Sequence, residues 1–211
     1  MQEIDLEYLI KDLPQVLDSI KVGAERIIEI VKSLRNFSRL DEAEYKEAHI
    51  HEGIDGTLVI LNHRLKANGK NPAIQVIKEY SPLPLVTCYP GQLNQVFMNI
   101  LSNAVDALEE YNQKRTKEEI KQNPSQIKVY TQKIEDNWIK IGIQDNAGGI
   151  PEKLTSKLFD PFFTTKPVGK GTGLGLSISY QIIIEKHGGR LFCNSKLGEG
   201  TEFIIEIPIR P

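Results

Sequence analysis

The sequence predicts an α+β fold, a two-layer α/β sandwich in which helices cover one face of a mixed, mainly antiparallel sheet, preceded by an N-terminal helical segment. Three observations predict it. The apolar spacing changes character near residue 49, from one long helical stripe to a mixture of helix and strand patterns. Two amphipathic helices, 51–67 and 92–111, each carry one apolar face that needs a sheet to cover it. Strand-like runs occur in neighbouring pairs, 126–134 with 138–145 and 190–195 with 201–209.

Taken in order, Ile20, Ala24, Ile27, Val31, Leu34 and Ser38 recur at alternating spacings of three and four, and Ile30 and Phe37 widen the stripe. That is a helix-bundle seam, which one helix cannot bury alone. Pro14 interrupts the earlier part, so 1–12 reads as a separate short helix. The charged run DEAEYKEA (41–48) reads as a linker, dividing the chain into a helical segment, 1–45, and a second domain, 46–211. In the helix 51–67, Ile54, Leu58, Leu61 and Leu65 share a face, and NGKNP (68–72) forms a turn before a strand at 74–80. Proline-rich SPLPLVTCYPG (81–91) leads into the helix 92–111, and polar 112–125 reads as a loop or frayed helix end. Asp136-Asn137 joins the strands 126–134 and 138–145 as a hairpin. A segment rich in Gly, Pro and Lys, 146–173, has the length of a functional lid. The helix 174–187 then stops at Gly188-Gly189, and KLGEG (196–200) turns between the last two strands.

The composition narrows the function classes. Of 211 residues, 40% are hydrophobic, enough for a packed core, and the net charge of −2 gives no reason to expect a nucleic-acid surface. No apolar run approaches the roughly 20 residues of a membrane span and nothing resembles a signal peptide, so a cytoplasmic protein without membrane contact, or the soluble end of a larger one, is expected. Cys88 and Cys193 have no metal spacing and read as reduced core cysteines.

Three elements carry chemistry. On the helix 92–111, Leu93, Val96, Phe97, Ile100, Leu101, Ala104 and Leu108 form the apolar face, while Gln95, Asn99, Asn103 and Asp106 lie three or four residues apart on the other side. Amide oxygens are neutral, hard ligands suited to Mg²⁺, although the same pattern also describes a plain polar face. DNAGGI (145–150) ends a strand. Its glycines permit close approach of a flat ligand, and its carboxylate can accept a hydrogen bond from an exocyclic amine; alone it is equally a surface turn. GKGTGLGLS (169–177) is glycine-dense and runs into a helix, an arrangement suited to phosphates, with Lys166 and Lys170 nearby. It lacks the GK[ST] of a P-loop and lies too late in the chain for a dinucleotide-binding βαβ unit.

The order of these elements resembles that of the histidine kinase branch of the ATPases that also include the gyrase, mismatch-repair and heat-shock chaperone enzymes. NQVFMNILSNAVDAL (94–108) resembles the family's N box, DNAGGI (145–150) its first glycine box, FDPFFTTK (159–166) its F box and GTGLGLS (171–177) its second glycine box. GEGT (198–201) is similar to a further turn of the family, and 24–40 resembles the second helix of the dimerisation and phosphotransfer hairpin.

The resemblance implies an ATP-dependent protein-histidine kinase using ATP and Mg²⁺, with a histidine-bearing dimerisation helix and a response regulator receiver domain as partners, and a homodimeric full-length protein. By similarity, Asp145 accepts the adenine amino group, with Ala147, Gly149, Ile150 and Thr201 around the base. Asn103 is the metal ligand, and Asn99 lines the phosphate region one turn earlier. Phe159 and Phe163 anchor a lid in which Gly171, Thr172, Gly173 and Gly175 fold over the phosphates, while Leu174 and Leu176 pack. Ala147 stands where a glycine is common, and Ala107 follows Asp106 where many relatives place Lys or Tyr against phosphate. Charge neutralisation then falls to the metal, Lys166, Lys170 and the lid amides. The ATP-hydrolysing relatives have Glu where this chain has Asn99; an amide is no general base, which favours kinase over ATPase.

The acceptor histidine of the resemblance is missing. His49, His51, His63 and His187 are the four histidines, and only His51-Glu52 looks superficially right, in the wrong place. His63 reads as a helix-surface residue and His187 as a helix C-terminal residue where partial positive charge is favoured. The expectation is a truncated chain that does not label itself. Two other readings stay open: a non-catalytic ATP-binding interaction module, and a serine kinase of the anti-sigma type on the same fold. The intact set of Asn103, Asp145 and GTGLGLS argues against the first, and the bundle-type helix against the second.

Overall fold

In a computed structural model of the chain, the described residues are 44–67, 71–135, 137–166 and 173–210, together with Leu13, Val16 and Leu17. The helix expected at 20–40 lies outside them, as do Lys170, Gly171 and Thr172.

The elements follow the hydrophobic pattern. Strand β1 (Lys46–Ala48) leads into α1 (Ile50–Leu65), then β2 (Gln75–Tyr80), β3 (Val86–Cys88) and α2 (Pro90–Asn112). A short α3 (Lys117–Gln122) precedes the hairpin of β4 (Gln126–Glu135) and β5 (Trp138–Asp145). After a one-turn α4 (Glu152–Thr155) come α5 (Gly175–Gln181), a π-helical turn (Ile182–Lys186), β6 (Arg190–Lys196) and β7 (Gly200–Pro208). The main sheet has the order β2-β4-β5-β7-β6. Only the β2–β4 pair is parallel; β4–β5, β5–β7 and β6–β7 are antiparallel, which makes the mixed, mainly antiparallel sheet that the sequence predicts. Glu135 pairs with Trp138 at the closed end of the β4–β5 hairpin.

One core lies between the helices and the sheet. Ile54, Leu58 and Leu61 of α1, and Leu93, Phe97, Ile100, Leu101 and Leu108 of α2, meet Ile127, Val129, Ile139, Ile141, Ile143, Ile205 and Ile207 of the sheet. The buried strand residues alternate along β5 and β7, as one covered face requires. The other face is finished by a ring: the Tyr130 ring crosses Gly142 so closely that a Cβ there would lie 2.1 Å from it, and the phenol donates to Glu202 at 2.9 Å.

Four short elements go beyond the sequence reading. β1 and β3 pair as a separate antiparallel ribbon where the sequence reads as linker and proline-rich coil. The polar stretch 112–125 contains α3, started by a capping box in which Thr116 and Glu119 satisfy each other's backbone amides. The lid begins with α4. The helix expected at 174–187 changes to a π turn for its last third, and Gly188 leaves it with φ of 58°.

His187 corrects an expectation. It stands at the end of that helix, but it is buried, its Nδ1 lies 2.8 Å from the Ile182 carbonyl and its Nε2 accepts from the Tyr89 amide at 3.1 Å. Nδ1 therefore carries the proton and the ring is neutral; burial holds its pKa below the usual histidine range. His63 is on the helix surface as expected, while His51 is half-buried, stacked on Tyr80 at 4.3 Å and bonded to Thr131 at 2.9 Å. Cys88 is fully buried and Cys193 half-buried, both free, with burial pushing each thiol up to about 12. Among the described residues no helix is long and apolar enough to cross a membrane.

Candidate functional site

The site lies where α2, the end of the β5–β7 pair and the lid converge around a cavity of about 430 Å³. Its walls include Asn99, Asn103, Asp106, Asp145, Ile150, Phe163, Lys166, Gly173, Gly175, Leu176 and Thr201, so most of the predicted residues come together. Ala107 and Glu110 line it too. Ala147, Gly149, Phe159 and Leu174, the residue before α5, are not on its wall; Phe159 packs on the core, its ring tilted against Tyr180 with centroids 5.4 Å apart.

At one end sits Asp145, the last residue of β5 and only 4% exposed. Its Oδ1 accepts from the Ala147 amide at 2.9 Å, and the backbone of Thr201, its partner across the sheet, supports it as well. Burial nevertheless pushes its carboxyl pKa up to about 6, against these two bonds. A carboxylate held so far out of water, on a cavity wall, has acceptor capacity to offer a ligand.

The turn after Asp145 is pinned to the β6–β7 turn. The Ile150 amide donates to Ser195 at 2.7 Å, Ser195 donates to the Gly200 carbonyl at 2.9 Å and meets the Thr201 hydroxyl at 2.9 Å, and the Gly198 amide donates to the Gly148 carbonyl at 2.9 Å. The same packing requires glycine at two positions. Gly149, at φ of 71°, has the Lys196 carbonyl 2.1 Å from where a Cβ would be, and Gly200, at φ of 110°, has the Asp145 carbonyl 2.0 Å away. Facing backbone leaves no room for a side chain at either.

At the other end, α2 presents its amides. Asn99 donates from Nδ2 to the Gly175 carbonyl at 2.9 Å and to Ser179 at 3.1 Å, tying α2 to α5. One turn on, Asn103 accepts at Oδ1 from the Lys166 ammonium at 3.2 Å. Lys166 also bonds Asp106, whose other oxygen accepts from Arg64 at 2.6 Å. An ammonium thus occupies a cation position between an amide oxygen and a carboxylate. Among the described residues no group of three His, Cys, Asp or Glu side chains is placed to hold a metal ion, so a metal here would be held by Asn103 together with oxygens brought by a ligand.

Arg64, Ser179 and Ser195 are absent from the sequence reading. Each acts across at least 42 residues of chain or from a strand with no motif of its own, and single-sequence spacing carries no signal for such contacts.

Residues 88–211 match the family described as histidine kinase-, DNA gyrase B-, and HSP90-like ATPase. The chain belongs to this family. It is 31% identical over 186 residues to sporulation kinase E of Bacillus subtilis (strain 168), covering 88% of this chain and 23% of that protein. It therefore spans about a quarter of the length of that relative. The catalytic domain of the histidine kinase ThkA, in a nucleotide-free form, superposes with a TM-score of 0.64 at 29% identity, over 80% of this chain and 97% of that one. ThkA in complex with the response regulator protein TrrA matches at 24% identity and a TM-score of 0.59, over 99% of this chain and 53% of that one, which is a likeness of fold. Within this family the chain carries a histidine kinase ATP-binding domain, with the two-layer fold of the solved histidine kinase catalytic domains.

Proposed function

We propose that residues 46–211 bind MgATP and transfer its γ-phosphoryl group to a histidine on a dimerisation helix, for relay to a response regulator receiver domain. The observation that carries this is the buried Asp145 carboxylate at one end of a cavity whose other end holds Asn103 and Lys166. Asp145 accepts the adenine amino group, with Ala147, Gly149, Ile150 and Thr201 shaping the adenine end. Asn103 holds Mg²⁺, which supplies charge neutralisation at the phosphate oxygens and keeps most of its shell for them and for water. Lys166 moves from Asn103 to the phosphates, and Phe163, Gly173, Gly175 and Leu176 close the cavity beside them.

The residues position and neutralise; none activates water. Asn99 has no basic atom, and its amide group is engaged with Gly175 and Ser179, which supports phosphoryl transfer over hydrolysis. The acceptor is a histidine other than His51 and His187, whose rings are engaged within the domain. The ThkA complex with a response regulator supports the receiver partner. Under this reading the domain works in the cytoplasm, where ATP and the receiver are found, residues 1–45 belong to the dimerisation hairpin and the full-length protein is a homodimer.

Calorimetry of MgATP binding to the wild type and to Asp145→Asn tests this. A hydrogen bond to a charged group is worth roughly 1.5–3 kcal/mol, so the variant binds about 10- to 150-fold more weakly. Absence of binding by folded wild type would overturn the proposal.

A further inference from the structure

Asp106 poses an electrostatic problem. Its carboxylate lines the cavity one turn from Asn103, at the end proposed to receive three phosphates, and Glu110 lies on the same wall. A like charge facing a polyanion in a partly desolvated cavity opposes binding. The structure holds a residue that meets this. Arg64, in the last turn of α1, donates from Nε and from an NH₂ group to the two oxygens of Glu109, at 3.3 and 2.6 Å. The two-point contact fixes the plane of the guanidinium, and the same NH₂ group donates to Asp106 Oδ1 at 2.6 Å. Asp106 is left with one oxygen committed to Arg64 and the other facing Lys166. Arg64 and Lys166 thus balance Asp106 and Glu109 within one network, and Glu110, on the same wall, pairs with Lys114 at 3.5 Å.

We propose that Arg64 is a positioning residue for nucleotide triphosphate: it neutralises Asp106 and turns its free oxygen toward Lys166, so that α2 tolerates the phosphates and the lysine is held at their entrance. This rests on the ATP-binding reading. Arg64 does not line the cavity and acts only through Asp106. Lysine would not replace it fully, because a point charge cannot grip Glu109 at two atoms and still reach Asp106 in a fixed direction.

The test measures Mg²⁺-dependent ATP binding by calorimetry and adenosine binding by chemical-shift titration, at low salt, for wild type, Arg64→Gln, Arg64→Lys and Arg64→Gln/Asp106→Asn. Arg64→Gln is expected to weaken ATP about tenfold or more and adenosine less than twofold, since adenosine carries no phosphate. Arg64→Lys falls between, and the double variant regains most of the ATP affinity because the exposed charge is gone. The expected loss shrinks as salt rises. Equal losses for ATP and adenosine would mean a structural staple between α1 and α2 and would overturn the inference, as would an unchanged ATP affinity in Arg64→Gln or a double variant no better than the single. Wild type that binds neither compound removes the ATP reading and this inference together; wild type that binds ATP beside an indifferent Arg64→Gln removes this inference alone.

Discussion

At Asp145 the fold and the proposed ligand favour opposite protonation states. The carboxyl is buried against the Ala147 and Thr201 backbone, and burial raises its pKa from the ordinary 3.8 to about 6. The sign for stability follows. Because the folded pKa is the higher one, protonation favours the fold: the contribution is fully present below pH 3.8 and is lost as pH rises through about 6. For the ligand the sign is opposite, since only the carboxylate accepts from an amino group. ATP affinity is expected to be flat above pH 7 and to fall toward tenfold per pH unit below about 6, while Asp145→Asn stays flat through that range. Calorimetry between pH 5 and 8 reads this, and a wild-type curve parallel to that of the variant would disprove it. Asp145 and Asn103 were visible in the sequence because their motifs are local: a carboxylate at a strand end before two glycines, and an amide at helical spacing. Arg64 was not, because its partners lie 42 and 45 residues away on another helix.

At the level of elements, the contact between α2 and α5 decides whether the lid is held. Asn99 spans it with two donated bonds, to Gly175 and Ser179, and Gly175 sits so near that a Cβ would lie 3.4 Å from the Asn99 amide. The sequence places Asn99 in the phosphate region by resemblance; it stands on the cavity wall, and its hydrogen bonds give it a duty that no helical spacing reveals. Asn99→Asp tests that duty. It supplies the kind of group that activates water in the hydrolysing relatives, yet removes both donors and sets a carboxylate against the Gly175 carbonyl. The expected result is a loss of about 1–3 kcal/mol in urea unfolding with no gain in ATP hydrolysis. A variant of unchanged stability would show that Asn99 does not hold α5. Long elements were legible because α1, α2 and β4 to β7 each repeat their period several times. The β1–β3 ribbon has three residues a strand, α3 and α4 have six and four, and the π turn shares its composition with an ordinary helix, so none gives a period to read.

For the whole molecule, the cavity has its walls on three separate parts of the chain: α2, the ends of β5 and β7, and the lid with α5. A ligand that touches all three stabilises the folded state against unfolding by mass action, about 2.7 kcal/mol at one hundred times its dissociation constant. For a domain of this size each kcal/mol raises the melting temperature by roughly 2–4 °C, so saturating MgATP is expected to raise it by about 5–10 °C. The metal gives the discriminating arm. If Asn103 holds Mg²⁺ against the phosphates, removing the metal with a chelator cuts the shift given by ATP but leaves the smaller shift given by adenosine, which reaches only the Asp145 end. Asp145→Asn, at the same concentrations, lowers both. A chelator that reduces the two shifts alike would mean that the metal supports the fold itself rather than the phosphates, and an ATP shift indifferent to the chelator would leave phosphate neutralisation to Lys166 and its neighbours without a metal at Asn103.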